Sequence, residues 1–317
     1  LISPELFWQS AFYNFQSGKF FIAAELAMGK YNAPAFLQKA SLSLHPLLTL
    51  NLGYRNFSSS YFCPGAHCFS ESGNPGNEKG FFAGMTAYPF QFLKLNTYID
   101  FYRFPRIDYQ STFPLTGNDF LLDTEWYLSR NLDLRVFFKT ENKETRKSAE
   151  VTGINRMEFE RTTRFYLQLG MKIHENLYSR FRLEIKNLDG KERSPVSGIL
   201  VYQEISRSIF QQKVKFNLRY TLFDIPGWDV RIYAWEHDLL YSFSSPAWYK
   251  TGYNAFFNFR WKVTGWCNLG LKCSATGYTA PRESGTGADY RKSDKYFEGK
   301  VQVIIKLSEL GLNRFEG

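Results

Sequence analysis

The chain has no long apolar run. Its longest, such as Phe20–Ala24, are the length of a strand and fall far short of the roughly 18 residues a membrane helix needs. Helical periodicity beyond two turns is missing too, and so is any stretch composed like an interdomain linker. Neither Gly-x-Ser-x-Gly, nor Gly-x-Gly-x-x-Gly, nor the phosphate-loop lysine motif occurs, which removes the sequence signatures of α/β-hydrolases and nucleotide-binding loops. Asn118, Asp119 and Asp289 lie in or beside polar loops, but no ligand series has calcium-loop spacing. No metal and no cofactor are expected. The net charge of +9 is carried without a basic run, because acids are interleaved throughout. No charged-then-apolar leader opens the sequence, so Leu1 reads as the start of a mature or truncated product.

What the chain has in abundance is alternation. Residues 213–222 place Val214, Phe216, Leu218, Tyr220 and Leu222 on one side and Lys213, Lys215, Asn217, Arg219 and Thr221 on the other. A period of two is that of a β-strand between an apolar and a polar medium. It recurs at 20–29, 47–55, 93–102, 132–140, 177–186, 253–263 and 300–307. Aromatic residues make up 18% of the chain, high for a water-soluble domain and suited to the aromatic girdles of a membrane barrel. Strands that cross a bilayer must belong to a closed barrel, since lipid does not tolerate open sheet edges.

The connections are unequal. Short ones include 129–131, 174–176 and 264–265; long polar ones cover about 56–79, 105–118, 142–156, 187–196 and 279–297. The expectation is an all-β fold: an antiparallel transmembrane β-barrel of about 14–16 strands, with long extracellular loops and short periplasmic turns. The barrel covers 1–307 as one domain, and 308–317 is a short C-terminal periplasmic tail. The short–long alternation breaks once, near 224–252. The location implied is the bacterial outer membrane.

The polar faces carry most of the candidate chemistry. Arg135, Lys139, Arg164, Arg180, Arg182, Lys186, Lys213, Lys215, Arg219, Arg231, Arg260 and Lys262 fall there and are candidates to line a lumen. Two readings stand. These cations form an anion-selective pore, or they pair with the acids on the same faces, among them Glu25, Asp100, Asp123, Glu125, Asp133, Glu158, Glu160 and Glu184. Cys63 and Cys68 bracket Pro64-Gly65-Ala66-His67 at a spacing that suits a small disulfide ring in an exported protein. Cys267 and Cys273 share an apolar strand face with Leu269 and Leu271 and stand too far apart to bridge. His237, between Glu236 and Asp238, is the place a membrane-embedded hydrolase would centre, given a serine nucleophile on a neighbouring strand.

Several segments, Leu52-Gly53-Tyr54-Arg55-Asn56-Phe57, Phe69-Ser70-Glu71-Ser72, Asn77-Glu78-Lys79-Gly80, Asp100-Phe101-Tyr102-Arg103-Phe104-Pro105 and the run Arg231 to Phe243, are similar to those of Bacteroidota outer-membrane β-barrel proteins. That group is often described through an N-terminal helix-hairpin-helix module preceding the barrel. The resemblance implies a DNA-uptake or secretion-associated barrel, but the helical hairpins are absent from this sequence, so nucleic acid is not supported as a partner of these residues. The function expected from the residues themselves is non-enzymatic: a channel, or a structural subunit of a cell-envelope complex. Its partners would be outer-membrane lipid, lipopolysaccharide and other envelope proteins.

Overall fold

The computed structural model describes residues 8–29, 32–63, 68–71, 73, 75–107, 114–147, 156–190, 193–284 and 290–307. The tail expected at 308–317 lies outside them. Strands dominate: β1 (Gln9–Ser17), β2 (Phe20–Gly29), β3 (Ala33–His45), β4 (Leu48–Phe57), β5 (Glu78–Phe90), β6 (Leu93–Phe104), β7 (Leu115–Ser129), β8 (Leu132–Lys147) and β9 (Arg156–His174). They continue with β10 (Leu177–Gly190), β11 (Arg193–Ile209), β12 (Val214–Ile225), β13 (Ile232–Tyr233), β14 (Ala247–Trp248), β15 (Lys250–Lys262), β16 (Cys267–Ser284) and β17 (Arg291–Ile305).

Fifteen of these form one sheet in the order of the chain, from β1 through β12 and then β15 to β17; β13 and β14 pair only with each other. A count of fifteen strands among the described residues falls between 14 and 16 but is odd, where an even number is expected of an outer-membrane barrel. Next-neighbour antiparallel pairing puts the short turns at one end of the strands and the long connections at the other, as in bacterial outer-membrane barrels. The strands are longer than the sequence suggested at 187–196, expected as a long loop. There β10 runs to Gly190 and β11 resumes at Arg193. Polar strand ends go on forming backbone ladders where side-chain patterning no longer marks them.

Burial is inside out. On β12, Leu218, Tyr220 and Leu222 are exposed while Asn217, Arg219 and Thr221 are buried; Leu218 is 49% exposed and Arg219 1%. The same inversion holds on β6, where Ile99 and Phe101 are exposed and Asp100 and Tyr102 are buried. A water-soluble sheet sends its apolar face inward. This one presents that face outward and seals its charges in, the arrangement of a transmembrane β-barrel. Aromatic rings pair at the turn end, where Phe90 and Phe92 stack at 5.2 Å and Phe92 meets Trp126 at 6.3 Å, and at the other end, where Trp228 meets Tyr249 at 5.0 Å.

The chain divides into two compact units. The first holds 1–126, 136–164 and 188–195; the second holds 127–135, 165–187 and 196–317. In the first, Ala33, Ala35, Phe57 and Tyr61 make an apolar cluster, joined by Ala27, Leu37, Cys63 and Cys68. In the second, Leu200, Ile225, Val230 and Ile232 are sealed from solvent, and Phe223 packs on Trp248 at 4.9 Å.

Candidate functional site

The site of the second unit is built on the segment 226–249. Its flanking strands are hydrogen-bonded directly to each other, with Ile225 opposite Lys250, so the segment is an insertion at the long-connection end of a hairpin. This explains the apparent break in alternation: no sheet strand is missing or split there. The insertion folds down over the polar face. A 3₁₀ turn, Trp228–Val230, leads into β13, which pairs with β14 through Ile232–Trp248 and Tyr233–Ala247. Val230, Ile232, Ala234 and Trp248 are its buried apolar side. Gly198 on β11 leaves room for it: a Cβ there would stand 3.0 Å from Ile225 Cγ2 and 3.3 Å from Val230 O.

Beyond β13 the insertion meets charge. Arg219 Nη1 donates to Trp235 O at 2.7 Å, and Arg219 Nε donates to Glu204 Oε2 at 2.9 Å. The guanidinium lies over the Tyr202 ring at 4.1 Å. Glu204 Oε1 in turn stands 3.5 Å from His237 Nε2 and accepts from Arg180 Nη1 at 3.4 Å. Lys272 Nζ is 3.4 Å from both Glu236 Oε2 and Asp238 Oδ2, and Lys300 Nζ is 3.2 Å from that same Asp238 oxygen. At the deep end Gln302 Nε2 donates to Leu240 O at 2.8 Å, and a Cβ on Gly270 would lie 2.9 Å from Leu239 Cδ2. Gly270 is opposite Arg260, two residues from the turn end of β15. From the level of Ile225 to that of Arg260 the insertion follows about ten residues of strand, roughly 30 Å at the usual rise.

Burial alone would raise both carboxylates of the insertion. It does raise Glu236, because Lys272 offsets the loss of solvation only in part. For Asp238 it is overcome by the Leu239 amide and the two lysines, which hold the group below the usual aspartate value.

In the first unit the connection 58–77 makes a related approach. Arg55 bonds Glu78 through Nε, and its Nη1 and Nη2 donate to Asp100 at 2.9 and 3.0 Å. Phe69 from the connection covers the guanidinium at 4.8 Å, and the Glu71 amide donates to Glu78 at 3.0 Å. Gly80 is required beneath this group, since a Cβ would fall 2.3 Å from Arg55 Cζ. Burial raises the Glu71 carboxyl and pushes the Tyr61 hydroxyl up to about 12.

The cations marked in the sequence divide into groups. Lys139 pairs with Asp119 at 2.9 Å, Arg182 with Glu184 at 2.6 Å, and Arg180 and Arg219 with Glu204. Arg135 lies over Tyr166 and Arg164 over Phe137. Lys186 donates to the backbone oxygens of Asp229 and Arg231. Arg231, expected on a wall strand, belongs instead to the insertion, where it donates to Tyr233 Oη and Trp228 O and stacks on Trp228. Lys213, Lys215, Arg260 and Lys262 have no ion pair among the described residues. The sequence missed Glu204 and Lys272, whose roles appear only once distant strands are in register.

The disulfide expected between Cys63 and Cys68 is not formed. Both thiols are free and pack against the Ala33–Phe57–Tyr61 cluster, where burial raises Cys68. Cys267 and Cys273 are unbridged on β16, as their spacing required. His237 sits edge-on to Trp235 at 4.5 Å and faces Glu204; among the described residues no serine hydroxyl is bonded to it. No helix among the described residues is long and apolar enough to cross a membrane. The crossing elements are strands, and their exposed apolar face places the chain in the bacterial outer membrane.

No protein-family model matches the chain, and no curated protein matches it. Among solved structures it is similar to the RagAB peptide transporter, at 8% identity and TM-score 0.45 over 93% of this chain and 48% of that one. It is also similar to OmpT of Vibrio cholerae, at 8% identity and TM-score 0.38 over 92% and 99%. A third match is CdiB from Acinetobacter baumannii, at 11% identity and TM-score 0.40 over 95% and 63%. The chain spans about half the length of the RagAB chain it matches.

Proposed function

We propose that this outer-membrane barrel is a channel whose conductance is set by the insertion 226–249. The observation that supports the reading is the anchoring of that insertion on the polar face by Arg219, Lys272 and Lys300, in a belt at the level of Phe256 to Asn258, midway along β15. Ion pairs of this kind hold a segment firmly while both partners are charged, and breaking one partner leaves a buried charge uncompensated. They are therefore suited to a closure with two states.

Single-channel recording of the purified full chain in planar bilayers tests the reading. The wild type is expected to show small, steady conductance. A Glu236→Gln/Asp238→Asn double substitution, which removes both carboxylates that face Lys272, is expected to give larger and noisier openings. Absence of conductance in both proteins would sink the channel reading and leave a structural subunit of the envelope in its place.

A further inference from the structure

Two like-charged pairs stand directly across neighbouring strands of the second unit. Lys272 on β16 is opposite Lys300 on β17, and Lys215 on β12 is opposite Arg260 on β15. Like charges in directly opposed positions repel. The first pair is resolved within the chain: Asp238 Oδ2 sits 3.4 Å from one ammonium and 3.2 Å from the other. The second pair has no such carboxylate among the described residues. The repulsion continues toward the turns, where the Lys262 amide is bonded to Lys213 O and brings a further lysine to each strand end.

Space accompanies the charge. Lys215 and Arg260 line two adjoining cavities, of about 430 and 160 Å³. The larger also takes in Lys172, Arg180 and His237, with Glu175 its sole carboxylate. The Nε atoms of Arg180 and Arg260 are buried and have no hydrogen-bond partner among the described residues. Buried guanidinium donors without an acceptor are costly. Their fork geometry matches tetrahedral and planar oxyanions.

We propose that this turn-end cavity binds a small, soluble organic phosphate, whose phosphoryl group does for Lys215 and Arg260 what Asp238 does for Lys272 and Lys300. A phosphoryl group carries more than one negative charge and several acceptor oxygens, enough to meet an ammonium and two guanidinium groups together. The larger cavity is of a size that accepts a small organic molecule and not only a bare ion. Ser206, Ser208 and Asn176 on its wall supply neutral partners for hydroxyls on the remainder of the ligand. Conduction is not required for this binding.

The test uses the full chain in neutral detergent micelles at constant ionic strength. Thermal unfolding and calorimetric titration are followed with inorganic phosphate, glycerol phosphate and micelle-borne phosphatidic acid as probes. Saturable binding and stabilisation by the two soluble phosphates are expected, beyond the effect of matched chloride. Lys215→Gln and Arg260→Gln should each weaken the apparent affinity about tenfold or more, the loss of one charge-assisted contact. Lys215→Gln should also unfold no earlier than wild type in chloride alone, because it removes a repulsion; this separates loss of binding from misfolding. Stabilisation no greater than that of chloride would overturn the proposal, and so would unchanged affinity in both variants. Response to phosphatidic acid but not glycerol phosphate would assign the cavity to a lipid headgroup and overturn the soluble-ligand form. The binding readout survives if the barrel conducts nothing, so failure here and failure of the channel reading are distinguishable.

Discussion

Arg219 and Arg55 are charges almost sealed from solvent, yet Arg219 is held by Glu204 of the neighbouring strand and Arg55 by Glu78 of the next strand and Asp100 of the one beyond. Arg219→Met leaves Glu204 short of its main partner and frees the Trp235 carbonyl. It should cost about 3–5 kcal/mol, read as a lower unfolding midpoint in micelles. Arg219→Lys should recover only part, because one ammonium cannot serve both Glu204 and Trp235 O as the fork does. Beneath Arg55, a methyl group at Gly80 would collide with the guanidinium itself. Gly80→Ala should destabilise by about 1–3 kcal/mol, the usual cost of overpacking, and Gly80→Ala combined with Arg55→Ala should cost less than the sum. The alternation at 47–55 made Arg55 legible as a polar-face residue, but nothing local joins it to Glu78 and Asp100. Those contacts depend on the register of β4, β5 and β6.

The insertion 226–249 shows why one element escaped the pattern that revealed the others. Val230, Ile232 and Ala234 alternate with Arg231, Tyr233 and Trp235, a period of two like that of the wall strands. Whether such a run joins the sheet or lies across it depends on what its backbone pairs with, and that is set by distant residues. The charge of Asp238 gives this element a pH dependence. Its value is lowered in the seated state, so it favours seating above the ordinary aspartate range, near pH 4, and this contribution is lost as pH falls through the lowered value. Glu236 is raised, so its contribution has the opposite sign: present at low pH and lost as pH rises through the raised value. Conductance should therefore rise on acidification below about pH 4, and Asp238→Asn should abolish that rise while Glu236→Gln preserves it. A flat profile in the wild type would contradict the anchoring role of Asp238.

At the level of the whole molecule the decisive quantity is which face meets which medium. Leu218 is near the middle of β12 on the exposed apolar face. Leu218→Arg should cost about 2–4 kcal/mol in folding into lipid vesicles, a penalty that falls toward the strand ends. An equal loss in detergent-free water-soluble form, or none in vesicles, would contradict the membrane-facing assignment. This level was the most legible in the sequence, because the same two-residue period recurs in eight segments spread along the chain. The charge balance was legible only in outline. Interleaved signs left both a pore and pairing standing; Lys139, Arg182 and Arg219 are paired. That Lys215 and Arg260 would be left over follows from register alone.

The bridge from Asp238 to Lys272 and Lys300 has a bearing on assembly. β17 closes the described order of strands, and its pairing with β16 brings the two ammonium groups face to face. Docking with the insertion already in place is favoured, since one carboxylate then satisfies both. Docking before it meets repulsion, and a slip by one residue turns Lys300 to the other face and away from Asp238. Asp238→Asn should therefore slow the pairing of β16 with β17 during refolding more than it lowers the midpoint.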